Sequence, residues 1–304
     1  MHCDAYHLPG TVDEALRLLA QYQGRARVIG GGTDYFVDDR SSTPQQALVD
    51  VTRIPALREI RQEDGLIVIG CGVTHAQITQ SALIQKRARA LAEACGQIGG
   101  PQVRNVATLA GNVAHALPAA DGMLALLALD GQVCVASLNA DGSTATYEWW
   151  PLAQAYRGPG QSAIDSTRQV LVAVRFRPTG ADQGSAFARV MRPQGVALPV
   201  MAAAVKMQVT EGILRQASIA LGPVTRLPFR ASQTAAFLAG KPADEQTIRA
   251  ASSVLLNECS PRTSPHRATA EYRRELIPVL FEQAALTAIG RCASTRVIVQ
   301  EERG

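Results

Sequence analysis

Two short stretches of the chain carry residue types and spacings that could do chemistry. The first is "VIGGGTD", residues 28–34. Val28 and Ile29 end an apolar run, and Gly30, Gly31 and Gly32 follow without a single Cβ. Backbone N–H groups in such a turn can approach a ligand closely and form a concave donor nest for phosphate. Thr33 adds a hydroxyl donor. Asp34 is a poor direct phosphate ligand and better suits a sugar hydroxyl, a backbone N–H or a brace within the loop. Gly30 and Gly32 match the first two positions of a G-x-G-x-x-G fingerprint, but Tyr35 occupies the third. The following "YFVDDRSSTPQQ" has no convincing helical pattern, so dinucleotide binding at a helix N-terminus is not supported. The competing reading of the glycines is a tight turn between strands.

The second stretch is "VRNVATLAGNVAHALPAAD", residues 103–121. Its few polar groups stand at fixed offsets in an Ala- and Leu-rich setting. Thr108, Gly111 and Asn112 form T-x-x-G-N: a hydroxyl, an amide, and a glycine that lets a backbone N–H come near. That set suits a diphosphate, a sugar chain and the uncharged rim of a cofactor. Asp121 can accept from ribose hydroxyls or an amino group. An apolar surround excludes water and strengthens each such bond. Turn and cap chemistry is the competing reading for Thr108 and Asn112.

The elements that must position these groups are legible. "TVDEALRLLAQY" (11–22) reads as a helix capped by Thr11, with Glu14 closing a capping box and Ala15, Leu16, Leu18 and Leu19 on its apolar face. Strands are expected before and after the glycines and in "ALVDVTRI" and "LIVIGCGVTHAQI". Residues 74–99 read as helix with a break near Ser81, and "DGMLALLALD" as a short helix. "GQVCVASLNADGSTATYEWWPL" reads as a hairpin turning at Asp141-Gly142, and "QVLVAVRFRP" as a strand stopped by Pro178. The polar link "TGADQGS" (179–185) marks a domain boundary. Beyond it three strands precede three helices, the order of an α+β domain.

Composition narrows the classes of function. A length of 304 residues allows two domains and a large core. The net charge of +4 is small and its basic residues are dispersed, which argues against nucleic acid. No uninterrupted apolar span is long enough for a transmembrane helix, and the first residues do not read as a secretory signal, so a cytoplasmic location is expected. The closest two of the six cysteines are 24 residues apart, which excludes a CxxC pair. The five histidines are equally scattered, so no metal site is expected from this chain alone.

Taken together, "GGGTD" and "RNVATLAGNVAHALPAADGMLALLALDGQV" resemble the FAD-binding medium subunit of the molybdenum hydroxylases, the family of xanthine dehydrogenase and carbon monoxide dehydrogenase. The likeness extends to "SAFARVMRPQGVALPVMAAAV" and "HRATAEYRRELIPVLFEQA", and so covers nearly the whole chain. It implies an α+β fold: a vanillyl-alcohol-oxidase-type FAD-binding domain over residues 1–178, with subdomains of about 1–55 and 56–178, and a smaller α+β domain over 185–295. It implies an electron-transfer flavoprotein, an oxidoreductase subunit holding FAD. Electrons would start at a molybdopterin-molybdenum centre in a large subunit, cross two [2Fe-2S] clusters in a small subunit, and leave the flavin for an external acceptor. The implied assembly is a dimer of heterotrimers.

By that resemblance Val28, Ile29, Gly30, Gly31, Gly32, Thr33 and Asp34 match the first flavin loop. Thr108, Gly111, Asn112 and Asp121 match the second, which holds the diphosphate, ribityl and ribose. Ile98 and Gly99 match positions that line the pocket. Leu171 and Arg189 lie near positions that edge the isoalloxazine; Arg189 stands where lysine is common, and its charge could stabilise an anionic reduced flavin. For Leu171 plain core, and for Arg189 a surface strand, are the competing readings. The family often reads T-x-G-G-N, and here Ala110 replaces the first of those glycines. No four-cysteine insert for a further [4Fe-4S] cluster is visible. Met191, Pro193 and Met201 are candidates for a partner-facing surface, against a core role. The basic stretch "RTSPHRATAEYRRE" (262–275) reads as a subunit contact or, less favoured, a nucleic-acid patch, against a solvated helix start with Glu271 and Glu275 pairing nearby arginines. Two other functions stay open: a self-contained FAD oxidoreductase of the same fold, and a flavin-free assembly or scaffold relative.

Overall fold

A computed structural model describes residues 3–35, 45–192, 198–265 and 267–292. In chain order its first elements are β1 (Ala5–His7), α1 (Val12–Gln21), β2 (Ala26–Ile29), β3 (Ala47–Asp50), β4 (Ile60–Glu63) and β5 (Leu66–Gly70). Six helices follow: α2 (His75–Gln80), α3 (Ala82–Arg87), α4 (Arg89–Gly96), α5 (Pro101–Arg104), α6 (Leu109–Ala114) and α7 (Asp121–Ala128). Then come β6 (Gln132–Leu138), β7 (Ala145–Pro151), β8 (Tyr156–Gly158), β9 (Gln161–Ser162), β10 (Gln169–Phe176), β11 (Gln183–Val190), β12 (Met201–Thr210), β13 (Ile213–Gly222) and β14 (Phe229–Arg230). The last described elements are α8 (Ser232–Leu238), α9 (Glu245–Glu258) and α10 (Ala270–Ile289). Pro193 and most of the stretch after Tyr35 lie outside the described residues.

The chain forms two compact units. The first comprises Met1–Ile78, Gly100–Leu117 and Gly131–Arg177; the second comprises Thr79–Gly99, Pro118–Asp130 and Pro178–Gly304. Segments 79–99 and 118–130 thus pack with the C-terminal half, although they precede it in sequence.

Within the first unit β1, β3 and β2 make a parallel sheet in that order, so all three strands end at one edge. A second, antiparallel sheet runs β4-β5-β10-β6-β7. Helix α1 packs on β6 and β10 through buried Val12, Ala15, Leu16 and Leu19. Each such buried aliphatic side chain larger than alanine contributes about 2 kcal/mol of burial free energy. Thr11 caps the helix by accepting from the Glu14 N–H. The Glu14 carboxylate accepts from the Gly10 N–H, one residue before the donor a capping box would use. The β6–β7 hairpin turns where the sequence predicts it, with Gly142 at φ +72°.

Within the second unit β11-β12-β13-β14 form one antiparallel sheet. Alternation along β12 sends Met201, Ala203, Val205, Met207 and Val209 into the core shared with Ile248, Leu255, Ile277, Phe281 and Ala288 of α9 and α10. The other face of the sheet meets α4 and α7. Gly184 lets α10 lie directly on β11, since a Cβ there would fall 1.9 Å from the Ala288 carbonyl oxygen. Met201 is fully buried and takes the core role, whereas Met191 is exposed. The expected helix over 74–99 is three helices, broken at Ser81, which caps α3, and again at Ala88.

Candidate functional site

The glycine loop leaves the C-terminal end of β2, at the edge where a parallel sheet characteristically presents its ligand-binding loops. Its three glycines answer to three separate constraints. A Cβ on Gly31 would sit 2.1 Å from the Val106 carbonyl oxygen and 2.9 Å from Ala107 Cα. A Cβ on Gly30 would sit 3.1 Å from the Thr108 hydroxyl oxygen. Gly32 has φ +70°, which L side chains rarely adopt. The loop at 30–32 is therefore in backbone contact with the loop at 106–108, and the two sequence signatures are halves of one structure.

Thr108 is buried and caps α6, its hydroxyl oxygen accepting from the Gly111 N–H at 3.0 Å. The cap reading holds for this residue, and its hydroxyl proton is still available to donate. Gly111 is packed against the same oxygen, 3.1 Å from where its Cβ would be. Asn112 follows on α6 and is half-buried. Gly30, Gly31, Gly32 and Thr33 are half-buried, and among the described residues no hydrogen bond engages their four backbone N–H groups. Consecutive unengaged donors on a loop that admits no side chain are what an anionic diphosphate requires. Asp34 is exposed beside them. Val28 donates to the Ser166 carbonyl at 2.9 Å, and Ile29 is buried. Leu171, 7% exposed, pairs with Val135 just before a bulge between Leu171 and Ala173.

Sequence reasoning missed residues that support the two loops. His75 donates its backbone N–H to the Ala107 carbonyl at 3.0 Å, and Thr74 bridges Thr108. Asp50, paired with Ile29 across β2 and β3, accepts from the Tyr6 hydroxyl at 2.6 Å and from the N–H and hydroxyl of Thr52. A lone His or Asp with no motif around it gives no signal in a single sequence. Burial, aided by the nearby Arg104 guanidinium, pushes the His75 imidazole down to about 4. The unfolded chain therefore binds the proton first, and stability falls as pH drops from the ordinary histidine value toward that of the folded state. The expected loss is about 3 kcal/mol. Urea midpoints taken on either side of that window should differ accordingly, and His75→Gln should flatten the difference; an unchanged slope in the variant would remove His75 as its cause.

Four of the matched positions belong to the second unit. Ile98 and Gly99 follow α4, half-buried, with Gly99 at φ +53°. Asp121 opens α7 and Arg189 lies on β11, and the two form a buried ion pair through Asp121 Oδ2 and Arg189 Nη1. Their side chains are 4% and 3% exposed, so Arg189 is not a surface strand residue. Burial pushes the Asp121 carboxyl above the ordinary carboxylate range, against the pull of the guanidinium. Asp121 Oδ1 is buried and has no hydrogen-bond partner among the described residues. The pair leaves one acceptor for a hydroxyl or amino group and no uncompensated charge.

No cluster of three or more metal-ligating side chains occurs among the described residues, and no described helix is long and apolar enough to cross a membrane.

The pattern recurs in known proteins. Residues 2–178 match the family model of the FAD-binding domain in molybdopterin dehydrogenase, and residues 185–288 that of the CO dehydrogenase flavoprotein C-terminal domain. The chain is 27% identical to the xanthine dehydrogenase FAD-binding subunit of Escherichia coli O157:H7 over 94% of this chain and 96% of the relative. It is 28% identical to the carbon monoxide dehydrogenase medium chain of Hydrogenophaga pseudoflava over 95% and 98%. A solved carbon monoxide dehydrogenase from Hydrogenophaga pseudoflava, lacking the Mo-pyranopterin moiety of its cofactor, superposes with a TM-score of 0.86 at 28% identity, covering 96% of this chain and 99% of that one. The fold is the α+β arrangement anticipated from sequence, an FAD-binding domain followed by a C-terminal domain. The chain belongs to the FAD-binding subunits of the molybdopterin-dependent dehydrogenases, and is an oxidoreductase flavoprotein subunit.

Proposed function

We propose that this subunit carries electrons between [2Fe-2S] clusters of a small partner subunit and an external acceptor, the electrons arising at a molybdopterin-molybdenum centre in a large partner subunit. The observation that carries this reading is the fused pair of loops, with four unengaged N–H groups at Gly30–Thr33. FAD, when bound, supplies the redox chemistry, accepting and releasing electrons at its isoalloxazine. The protein's own contribution is to bind and orient. Backbone donors of residues 30–33 and the Thr33 hydroxyl hold the diphosphate, and Thr108, Gly111 and Asn112 complete that cradle. Val28 and Ile29 anchor the loop to its strand, and Asp34 braces its exposed side. Asp121 Oδ1 accepts from a sugar hydroxyl, and the Arg189 guanidinium opposes the burial that favours the protonated carboxyl. Ile98, Gly99 and Leu171 are proposed as apolar or close-backbone contacts of the cofactor.

The chain over 1–178 is proposed as the FAD-binding domain and 185–295 as its C-terminal companion. A dimer of heterotrimers in the cytoplasm is the proposed assembly. The relatives named medium chains and FAD-binding subunits support the partner arrangement. An absorption spectrum of the purified chain tests the central claim. We expect flavin bands that stay with the protein and no broad iron–sulfur absorption, and molybdenum and iron only in partners recovered with it. A chain that stays colourless after reconstitution with FAD would overturn the assignment.

A further inference from the structure

The basic stretch at 262–275 is exposed over most of its length, but Arg273 is not. Glu271 is exposed and pairs with no arginine among the described residues. Arg273, in the first turns of α10, is 1% exposed. Its Nη1 donates to the Pro223 carbonyl at 3.1 Å and the Arg262 carbonyl at 3.0 Å. Those bonds tie the turn after β13 and the segment before α10 to the helix. A neutral amide could donate them equally well. What a guanidinium adds is charge, and a buried charge is costly unless paired.

Among the described residues no such pair is present. None of Arg262, Arg267 and Arg273 pairs with a carboxylate among the described residues. The Arg273 Nε is buried without a hydrogen-bond partner among the described residues. Both bonds the side chain makes run through Nη1, which leaves the Nε/Nη2 edge, the fork that fits two oxygens of an oxyanion. Arg262 and Arg267 lie close enough to bear on the Arg273 charge, and exposure falls from Arg262 through half-buried Arg267 to Arg273. The positive end of the α10 dipole, at Thr269 and Ala270, adds to the same field.

We propose that Arg262, Arg267 and Arg273 form a binding site for one phosphate-type oxyanion, with the Arg273 fork as the inner donor and the other two as outer cations. The ligand is either a free inorganic anion or the phosphate of a nucleotide. The site uses none of the residues of the flavin loops and does not depend on the electron-transfer reading.

The test uses the full chain saturated with FAD, so that the flavin loops are already filled. Thermal unfolding is followed in inorganic phosphate, sulfate and adenosine monophosphate against chloride at matched ionic strength. Saturating phosphate should raise the midpoint by about 5 °C over chloride. Arg262→Gln, an exposed position whose loss spares the fold, should weaken phosphate binding about tenfold without changing the flavin spectrum. A response to adenosine monophosphate as well as phosphate identifies a nucleotide phosphate; a response to phosphate and sulfate alone identifies a free anion. No rise over chloride, or an equal rise in Arg262→Gln, overturns the site. If the chain fails to bind FAD, the same comparison on the apo chain still decides this proposal while the flavin reading falls.

Discussion

Gly31→Ala should strip the protein of its flavin and destabilise the first unit by about 3 kcal/mol or more. The added methyl would meet the Val106 carbonyl oxygen at 2.1 Å, and that neighbour is backbone, with no rotamer to move. Relief requires the loop at 30–32 and the loop at 106–108 to part. Parting them scatters the four N–H groups that would face the diphosphate, and FAD affinity should fall at least about 100-fold, the loss of one or two charge-assisted hydrogen bonds. Equilibrium dialysis with FAD and a thermal melt of the variant measure the two effects. Gly142→Ala is the control. It sits at a hairpin tip with nothing within 4 Å of its Cβ and φ +72°, so it should cost about 1 kcal/mol and leave flavin binding untouched. Full FAD occupancy in Gly31→Ala would show that the two loops need not touch for the cofactor to bind.

Arg189→Met should destabilise the second unit by about 3–5 kcal/mol, because it leaves the Asp121 carboxyl buried with neither oxygen engaged. The pH dependence identifies the cause. Burial already raises the Asp121 carboxyl, and removing the opposing guanidinium raises it further. A carboxyl whose folded-state pKa exceeds its unfolded value binds its proton more tightly when folded. Stability is then fully present below the unfolded pKa and lost as pH rises through the folded one. The gap between variant and wild type should therefore widen from about pH 5 to about pH 8, measured as urea midpoints at each. Replacing both residues, as Asp121→Leu with Arg189→Met, should recover most of the stability, since a well-packed apolar pair avoids the desolvation of two charges. A gap that is constant with pH would mean that Arg189 matters for packing rather than for its charge.

The sequence by itself determined the local elements. Thr11 capping α1, the turn at Gly142 and the break at Ser81 all depend on neighbours a few residues away, and each lies where the sequence puts it, whereas Glu14 accepts from Gly10 rather than closing the box on Thr11. The two loop signatures are specific only as a pair: singly, the glycines also read as a tight turn and Thr108 as a helix cap, and Thr108 does cap α6. Tertiary structure alone decided why they occur together. Gly31 answers to Val106, a residue 75 positions away with no distinguishing chemistry. It also joined Asp121 to Arg189, 68 positions apart, and turned two residues expected to face a cofactor separately into one buried ion pair. It drew Arg273 from an expected surface helix start into the interior, where its side chain donates to two backbone carbonyls and pairs with no carboxylate among the described residues. Caps, turns and periodicities are written in the chemistry of adjacent residues. Which carbonyl faces a glycine, and which charge is left without a counter-charge, is fixed only when distant segments share one volume from which water has been removed.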